Sequence, residues 1–444
     1  MGLEGAGAMS AKWSITVAWE PLDSGPPEER ACFAEIGIKA GDLWLTEGHD
    51  AIANRLRKAP LLSAYPLAEW LAWNWWRLRW EPRSDAADWA FAHRLTTIGG
   101  GYIWPNITMF SDGQRTALIA KPTDERPQTP FRYITDHAVV VPAAEFEAGV
   151  DDFIDQVLER LDSQSLEDTN LQKVWQSVLT ERRTPELARA RKLEALLGQE
   201  PDEANPEALA RLIADASRLS MAGVEEIAAD HKPGSAVLTA DALDVIAQEK
   251  GFDASPFDAL RLKSGSGIPR IGEVAAWKLG SEAAKALRVQ EGLDGRPISN
   301  KRLAEMAGTR DAVLSDRSRA GERISFALDD SPQHSRVVLR SKWESGRRFE
   351  LARLIGDRVV ASGGGRLLPA TRAYTYRQKM QRSFAAEFLS PFEAVDEMLD
   401  GDYSTENQQE VADYFDVSEL TIRTLLVNHH RIAREDFEFE AMAA

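Results

Sequence analysis

Gly346-Arg347-Arg348-Phe349-Glu350-Leu351-Ala352-Arg353-Leu354-Ile355-Gly356-Asp357 is the stretch on which the C-terminal half of this chain turns. It is taken together with Gln378 and with Phe384-Ala385-Ala386-Glu387-Phe388-Leu389-Ser390-Pro391. Ser345-Gly346 can start a helix, and the glycine-rich run 362–365 stops it. Each residue advances a helix by roughly 100°, so Arg347 and Arg358 nearly coincide around the axis while Arg353 lies about 120° from Arg347. Arg353 and Asp357 share a face and have the spacing of an intrahelical ion pair. Two apolar runs, 324–328 and 337–340, read as strands ahead of this helix, joined by a turn through Pro332. Segments 274–288 and 300–308 read as helices leading into them.

This succession resembles the ImmA/IrrE family of intracellular metallopeptidase-like proteins. The family helix reads Arg-Phe-x-x-Ala-His-Glu-Leu-Gly-His, and a second helix supplies a Glu just before a Phe-Ala-x-Glu-Leu-Leu-x-Pro run. The resemblance spans roughly residues 270–430 and lies in order and spacing, not in catalytic residues. It implies a zincin-like domain in which Arg353 and Asp357 stand at the two histidine positions. Leu354 then stands at the general-base Glu, and Gln378 near the third-ligand carboxylate. A catalytic zinc needs three neutral or anionic donors and an open position for water, and the HExxH Glu takes the proton from that water. Arg353 is a permanent cation without a lone pair to offer, and Leu354 cannot accept a proton. His49, His93, His137, His231, His334, His429 and His430 fall in no metal spacing, so no metal and no cofactor are expected.

With 444 residues, 43% hydrophobic and 28% charged, the chain has the composition of a soluble globular protein of about three domains. Its single cysteine, Cys32, rules out an intramolecular disulfide and Cys-based zinc knuckles. Residues 1–9 lack the basic n-region and apolar core of a signal peptide, and no run of eighteen apolar residues occurs. A cytoplasmic protein without a membrane partner is expected. A net charge of −17 disfavours non-specific nucleic-acid binding, which needs Lys and Arg to neutralise phosphates. The charge is uneven: residues 301–382 carry 18 Lys+Arg against 9 Asp+Glu, whereas 391–444 carry 14 acids against 3 basic residues. Either the two segments neutralise one another, or the basic one forms a surface for an acidic partner or a nucleic acid.

The N-terminal third reads differently. Trp13 to Trp19 alternates apolar and polar residues as a half-buried strand does. Runs 33–38 and 43–45 flank a hairpin turn at 39–42, and runs 106–110 and 116–119 flank a tighter one containing Asp112-Gly113. Pro66 can open a helix carrying Trp70, Trp73, Trp75, Trp76 and Trp80. Ten of the thirteen tryptophans precede residue 105, so this aromatic load is either a buried core or a ligand surface. The run Gly99-Gly100-Gly101 lacks the third glycine of GxGxxG and leads towards a strand, so it is a weak phosphate signal. Beyond residue 142 the pattern turns helical, with Phe146, Val150, Phe153, Ile154 and Val157 at helical spacing. Thr184-Pro185 and Asn205-Pro206 mark helix starts, and the segment 263–269 is the best linker.

The expected architecture is α+β. It comprises a β-rich, Trp-rich N-terminal domain (1–141), a helical acidic connector (142–265), a degenerate peptidase-like domain (266–400) and an acidic helix-turn-helix-like tail (401–444). In that tail Ser418, Thr421, Arg423 and Thr424 would approach base edges if the second helix read DNA. Three functions are open. The first is a non-catalytic regulatory protein that binds a protein partner, with Arg347, Arg348, Arg353 and Arg358 as candidate contacts; the resemblance implies a setting in stress response, toxin–antitoxin pairs or phage defence. The second is a DNA-binding regulator, and the third a residual or relocated peptidase.

Overall fold

Alternation of buried and exposed side chains sets the first strand, and burial of its tryptophan fixes what covers it. The computed structural model describes residues 12–123, 129–232, 234–263, 265–361 and 365–433. The segment 1–9, Ser264 of the linker candidate and residues 362–364 of the helix stop lie outside these. The chain is mixed α+β with a β-rich N-terminal region, and it divides into two units, Met1–Leu209 and Ala210–Ala444. Among the described residues no helix is long and apolar enough to cross a membrane.

In the first unit Trp13–Trp19 pairs antiparallel with Phe33–Ala40, which also takes Leu43–Trp44 and Leu61–Ser63 as neighbours. Ile107–Ser111 and Arg115–Ala120 form the expected Asp-Gly hairpin, and His137–Pro142 adds to its other edge. A third small sheet joins Arg55–Arg57, Gly48–Asp50 and Phe131–Tyr133. The tryptophan helix starts at Ala64, capped by Ser63, and breaks at Asn74 into Ala64–Trp73 and Trp75–Trp80. Trp75 and Trp76 are buried edge-to-face with ring centroids 4.8 Å apart, so these two belong to the core; Trp73 remains half exposed.

The boundary expected at residue 141 does not exist. The Ala143–Ser163 helix places Phe146, Val150, Phe153, Ile154 and Val157 in the same core as the strands. Trp13 lies 5.0 Å from Phe146 in this core, and Gly149 admits its indole, since a Cβ there would come within 2.1 Å of the ring. Helices Asn170–Arg183 and Pro185–Leu196 contribute Leu171, Trp175, Val178 and Ala195 to it. The apolar stripe seen at 146–157 therefore completes the N-terminal unit instead of building a connector.

The second unit begins well before the linker candidate. Phe252–Ala254 is the edge of an antiparallel sheet that continues through Ser335–Val338 and Ser325–Asp329 to Leu367–Ala370. Of the two central strands, Ser325–Asp329 matches the expected run 324–328, whereas Ser335–Val338 begins two residues before the expected 337–340; the outer strands Phe252–Ala254 and Leu367–Ala370 were not anticipated. Glu344–Val360 packs against this sheet and also against Ala276–Gln290 and Tyr376–Leu389, which pack on each other. Their approach is closer than side chains at every position would allow. A Cβ on Gly280 would lie 2.3 Å from the Met380 carbonyl oxygen, and one on Gly356 2.5 Å from the Phe384 ring. The tail is not a separate domain: Val411, Phe415, Val417, Ile422 and Leu426 share the core that holds Leu351, Ile355 and Phe388.

Gly356→Ala is expected to destabilise the protein by about 1–3 kcal/mol through overpacking, read as a lower urea midpoint at unchanged slope. Combining it with Phe384→Leu should cost less than the sum of the two single changes, because the ring that clashes has been removed. Additive losses would show that the two residues do not share this contact.

Candidate functional site

The Glu344–Val360 helix is unusual in burying nearly all its charged residues: Arg347, Arg348, Glu350, Arg353 and Asp357 are each at most 6% exposed. Buried charges need partners, and the partners define what each residue does. Arg347 donates to the Val313 carbonyl and, at 3.2 Å, to that of Ser341. Arg348 bonds the Ile298 carbonyl at 2.8 Å, the Asn300 side chain, and the carbonyl of Asp416 at 3.2 Å. Asp416 is the left-handed residue between helices Thr405–Phe415 and Glu419–Asn428, so Arg348 clamps the tail's turn. Arg358 forks onto Asp329 at 2.8 and 2.9 Å. Arg347 and Arg348, at most 2% exposed, are not available as the partner contacts expected of them, while Arg358 is partly buried and engaged by Asp329.

Arg353 differs from them. Its Nη2 donates to the Thr371 carbonyl at 2.7 Å, to Gln378 Oε1, and at 3.3 Å to Gln381 Oε1. Its Nε is buried with no hydrogen-bond partner. It does not pair with Asp357, as the i, i+4 spacing suggested; Asp357 is taken by Arg377, whose Nε and Nη2 meet it at 2.7 and 2.6 Å. Gln378 is locked as well. Its Oε1 also accepts from the Thr371 N–H at 2.8 Å and its Nε2 donates to the Pro369 carbonyl at 3.0 Å, where Gln381 Nε2 also donates. Burial, followed by the neighbouring Arg382, pulls the Arg353 guanidinium down to about 9; Arg340 adds to the repulsion, while Glu350 and Asp230 oppose it. At neutral pH it remains a cation in a site where no carboxylate touches it.

The site is assembled from four places in the chain. The end of Leu367–Ala370 and the residues after it supply backbone stations in series. Thr371 O takes Arg353, Arg372 N donates to Asp230 Oδ1 at 2.7 Å, and Ala373 O takes Arg382 at 2.9 Å. Thr375 caps the Tyr376–Leu389 helix by accepting from Gln378 N, and its hydroxyl donates to both oxygens of Glu226 at 3.0 and 2.8 Å. Glu226 lies in helix Met221–Ala229, which Asp230 and His231 follow. Burial pushes the Glu226 carboxyl up, opposed chiefly by the charge of Arg377. Burial also pushes Asp230 up, and it pulls down His231, whose Nδ1 has no partner.

These residues do not fit a zinc ion. Arg353 offers no lone pair, the oxygen and nitrogen of Gln378 are both engaged, and Asp357 neutralises Arg377. Leu354 is buried among Met306, Val337 and Leu351 as a packing residue. Among the described residues no three His, Cys, Asp or Glu side chains are grouped so as to hold a metal ion.

The tail residues considered for DNA are mostly used locally. Ser418 caps its helix, sharing a 2.9 Å hydrogen bond with the Thr421 hydroxyl; Thr421 is buried, and Thr424 donates to the Leu420 carbonyl. Arg423 is partly exposed. Beyond the helix His429 stacks on Phe392 at 3.6 Å, fastening the tail to the domain.

A second charged cluster lies in the N-terminal unit. His93 is fully buried, with Nδ1 at 2.7 Å from the Met109 carbonyl and Nε2 at 2.9 Å from Glu81; Arg77 bonds both Glu81 and Glu200. Both ring nitrogens and the carboxylate are engaged, so the group is a structural clasp.

No family model, curated protein or solved structure matches this chain. The site is therefore interpreted from its own residues. Sequence patterns singled out Arg353, Asp357 and Gln378 but missed Gln381, Arg377, Arg382, Thr371, Arg340 and the trio Glu226, Asp230 and His231. Gln381 had a usable signal, lying three residues after Gln378 on one helical face. Arg372, Arg377 and Arg382 lie in the basic segment, but their five-residue spacing puts them on no common helical face and gave no signal. The trio lies over a hundred residues away and had none.

Glu226 gives a pH test. A carboxyl raised above its unfolded value, about 4.3 for Glu, stabilises the fold fully below that value and loses the contribution as pH rises through the folded one. Glu226→Gln should therefore gain stability relative to the wild type as pH rises from about 4 to 7, measured by urea denaturation across that range. A difference that stays flat with pH would show that Glu226 is not held protonated by its surroundings.

Proposed function

We propose that this chain is a non-catalytic regulatory or interaction protein, built on a degenerate ImmA/IrrE-type metallopeptidase scaffold and acting by binding a protein partner. One observation carries the reading. Arg353 and Gln378, two positions that the resemblance assigns to metal ligands and that lie 25 residues apart, are directly hydrogen-bonded. Two ligands of one metal must come together in this way, and here an arginine and an amide meet without needing the ion. Gly356 supports the same register, since the glycine of the family helix falls where Phe384 leaves no room for a side chain. In this proposal the β-rich N-terminal unit senses or recruits. The setting in stress response, toxin–antitoxin pairs or phage defence rests on the resemblance alone. The partner surface lies away from Arg347, Arg348 and Arg358, which are committed to the fold.

Metal analysis and a protease assay on the purified protein provide the test. Zinc well below one equivalent per chain is expected, with no proteolysis that depends on Arg353 or Asp357. Stoichiometric zinc, or an activity abolished by Arg353→Ala or Asp357→Ala, would overturn the proposal. Affinity capture from the native host should recover one defined protein partner.

A further inference from the structure

Arg353 lacks the counter-ion that a buried cation requires. Taking an arginine out of water is costly unless a carboxylate or other anion accompanies it, yet its partners are a backbone carbonyl and two neutral amides. Its charged neighbours deepen the imbalance. Arg382 is partly buried, with one carbonyl bond to Ala373 and a Tyr374 ring 5.4 Å away, and no carboxylate meets it among the described residues. Arg340 reaches Glu350 at 3.4 Å and leaves its Nη1 buried without a partner. Arg372 is exposed, and Arg323, also exposed, is anchored by the Ala236 carbonyl at 2.6 Å. Against the five arginines 323, 340, 353, 372 and 382 stand, among the described residues, three carboxylates. Glu350 serves Arg340, Asp230 sits in the field of Arg323, Arg340 and Arg372, and Glu226 acts on Arg382. Five positive and three negative charges leave a local excess of two.

We propose that this cluster binds the phosphate group of a small molecule, with Arg340, Arg372 and Arg382 facing its oxygens and Arg353 supplying charge from beneath. The direction of approach selects phosphate. Arg340 follows the Ser335–Val338 strand, Arg372 follows Leu367–Ala370, and Arg382 lies on the Tyr376–Leu389 helix, so the three come from separate elements; the segment after Leu367–Ala370 ties them to the site, with the Thr371 carbonyl on Arg353, the Arg372 N–H on Asp230 and the Ala373 carbonyl on Arg382. A planar carboxylate is saturated by one arginine fork, whereas a tetrahedral dianion presents oxygens in several directions and neutralises more charge. Tyr374, 41% exposed and next to Arg382, offers an aromatic surface to the remainder of such a ligand. Asp230 occupies part of the anion's field and acts as an internal competitor. The site stands on its own charges and does not depend on the chain being a pseudo-peptidase.

Inorganic phosphate is titrated into the full-length protein by calorimetry and thermal unfolding, with chloride holding the ionic strength constant. A saturable rise in Tm and a dissociation constant in the millimolar range or below are expected. Adenosine monophosphate run in parallel separates the sources. Tighter binding than inorganic phosphate assigns the site to a nucleoside phosphate, and equal binding to the phosphate group alone. Arg372→Gln, at an exposed position that spares the fold, and Arg382→Gln should each weaken binding about tenfold, equivalent to about 1.4 kcal/mol. Asp230→Asn should tighten it by a similar factor, and Arg296→Gln, an exposed residue paired with Asp294 outside the cluster, should leave it unchanged. A response no larger than that of chloride, or one that survives in Arg372→Gln and Arg382→Gln alike, would overturn the proposal. Either result would leave the zinc and protease outcomes unaffected.

Discussion

The second unit depends on how closely three helices can approach one another. Tyr376–Leu389 is met from one side by Gly280, where a methyl group would strike the Met380 carbonyl, and from another by Gly356, where it would strike the Phe384 ring. With side chains removed at these two points, the helices sit close enough for Arg353 to reach Gln378 and Gln381 across the gap. The same packing buries Asp357 against Arg377. Close packing is not free to relax in steps, since interiors are as dense as organic crystals. The polar site is therefore as fixed as the apolar core that surrounds it.

Charged side chains hold residues from separate elements of this site together. Arg353 ties the long helix to Thr371 after the last strand and to the first turns of the next helix. Arg348 does the same for the tail by binding the Asp416 carbonyl, and Arg358 for the sheet by forking onto Asp329. Each is a long side chain crossing from a helix to a backbone or carboxylate acceptor. The difference lies in balance. Arg358 and Arg377 have their carboxylates, whereas Arg353 and its neighbour Arg382 have carbonyls and amides in their place. Of these, Arg353 and Arg382 are the cations without a carboxylate contact among the described residues.

Much of the architecture was legible locally. Strand Trp13–Trp19 and the Asp112-Gly113 hairpin follow from alternation and turn chemistry, and the Ala143–Ser163 helix from apolar spacing. The domain boundaries were not legible in the same way. A stripe of Phe146, Val150, Phe153, Ile154 and Val157 announces a helix but not what covers it, and Trp13 proved to be among its neighbours. Likewise Phe252–Ala254 is too short for any periodicity, so the edge strand that moves the second unit's start forward was invisible. Asp230 and Glu226 belong to the site through contacts with residues 142 and 149 positions later, a separation no local pattern encodes.

The sequence by itself determined that the long helix carries Arg353 and Leu354, which can neither ligate a zinc ion nor accept a proton, because side-chain chemistry is a property of the residue. It also determined the spacing that puts Arg353 and Asp357 on one helical face. Only the tertiary structure decided that they do not pair. Arg377 brings a second guanidinium to Asp357 from the neighbouring helix and forks onto both of its oxygens, leaving Arg353 to neutral acceptors. Which acid neutralises which base depends on distance through space, and that is set by how closely the glycines let the helices pack.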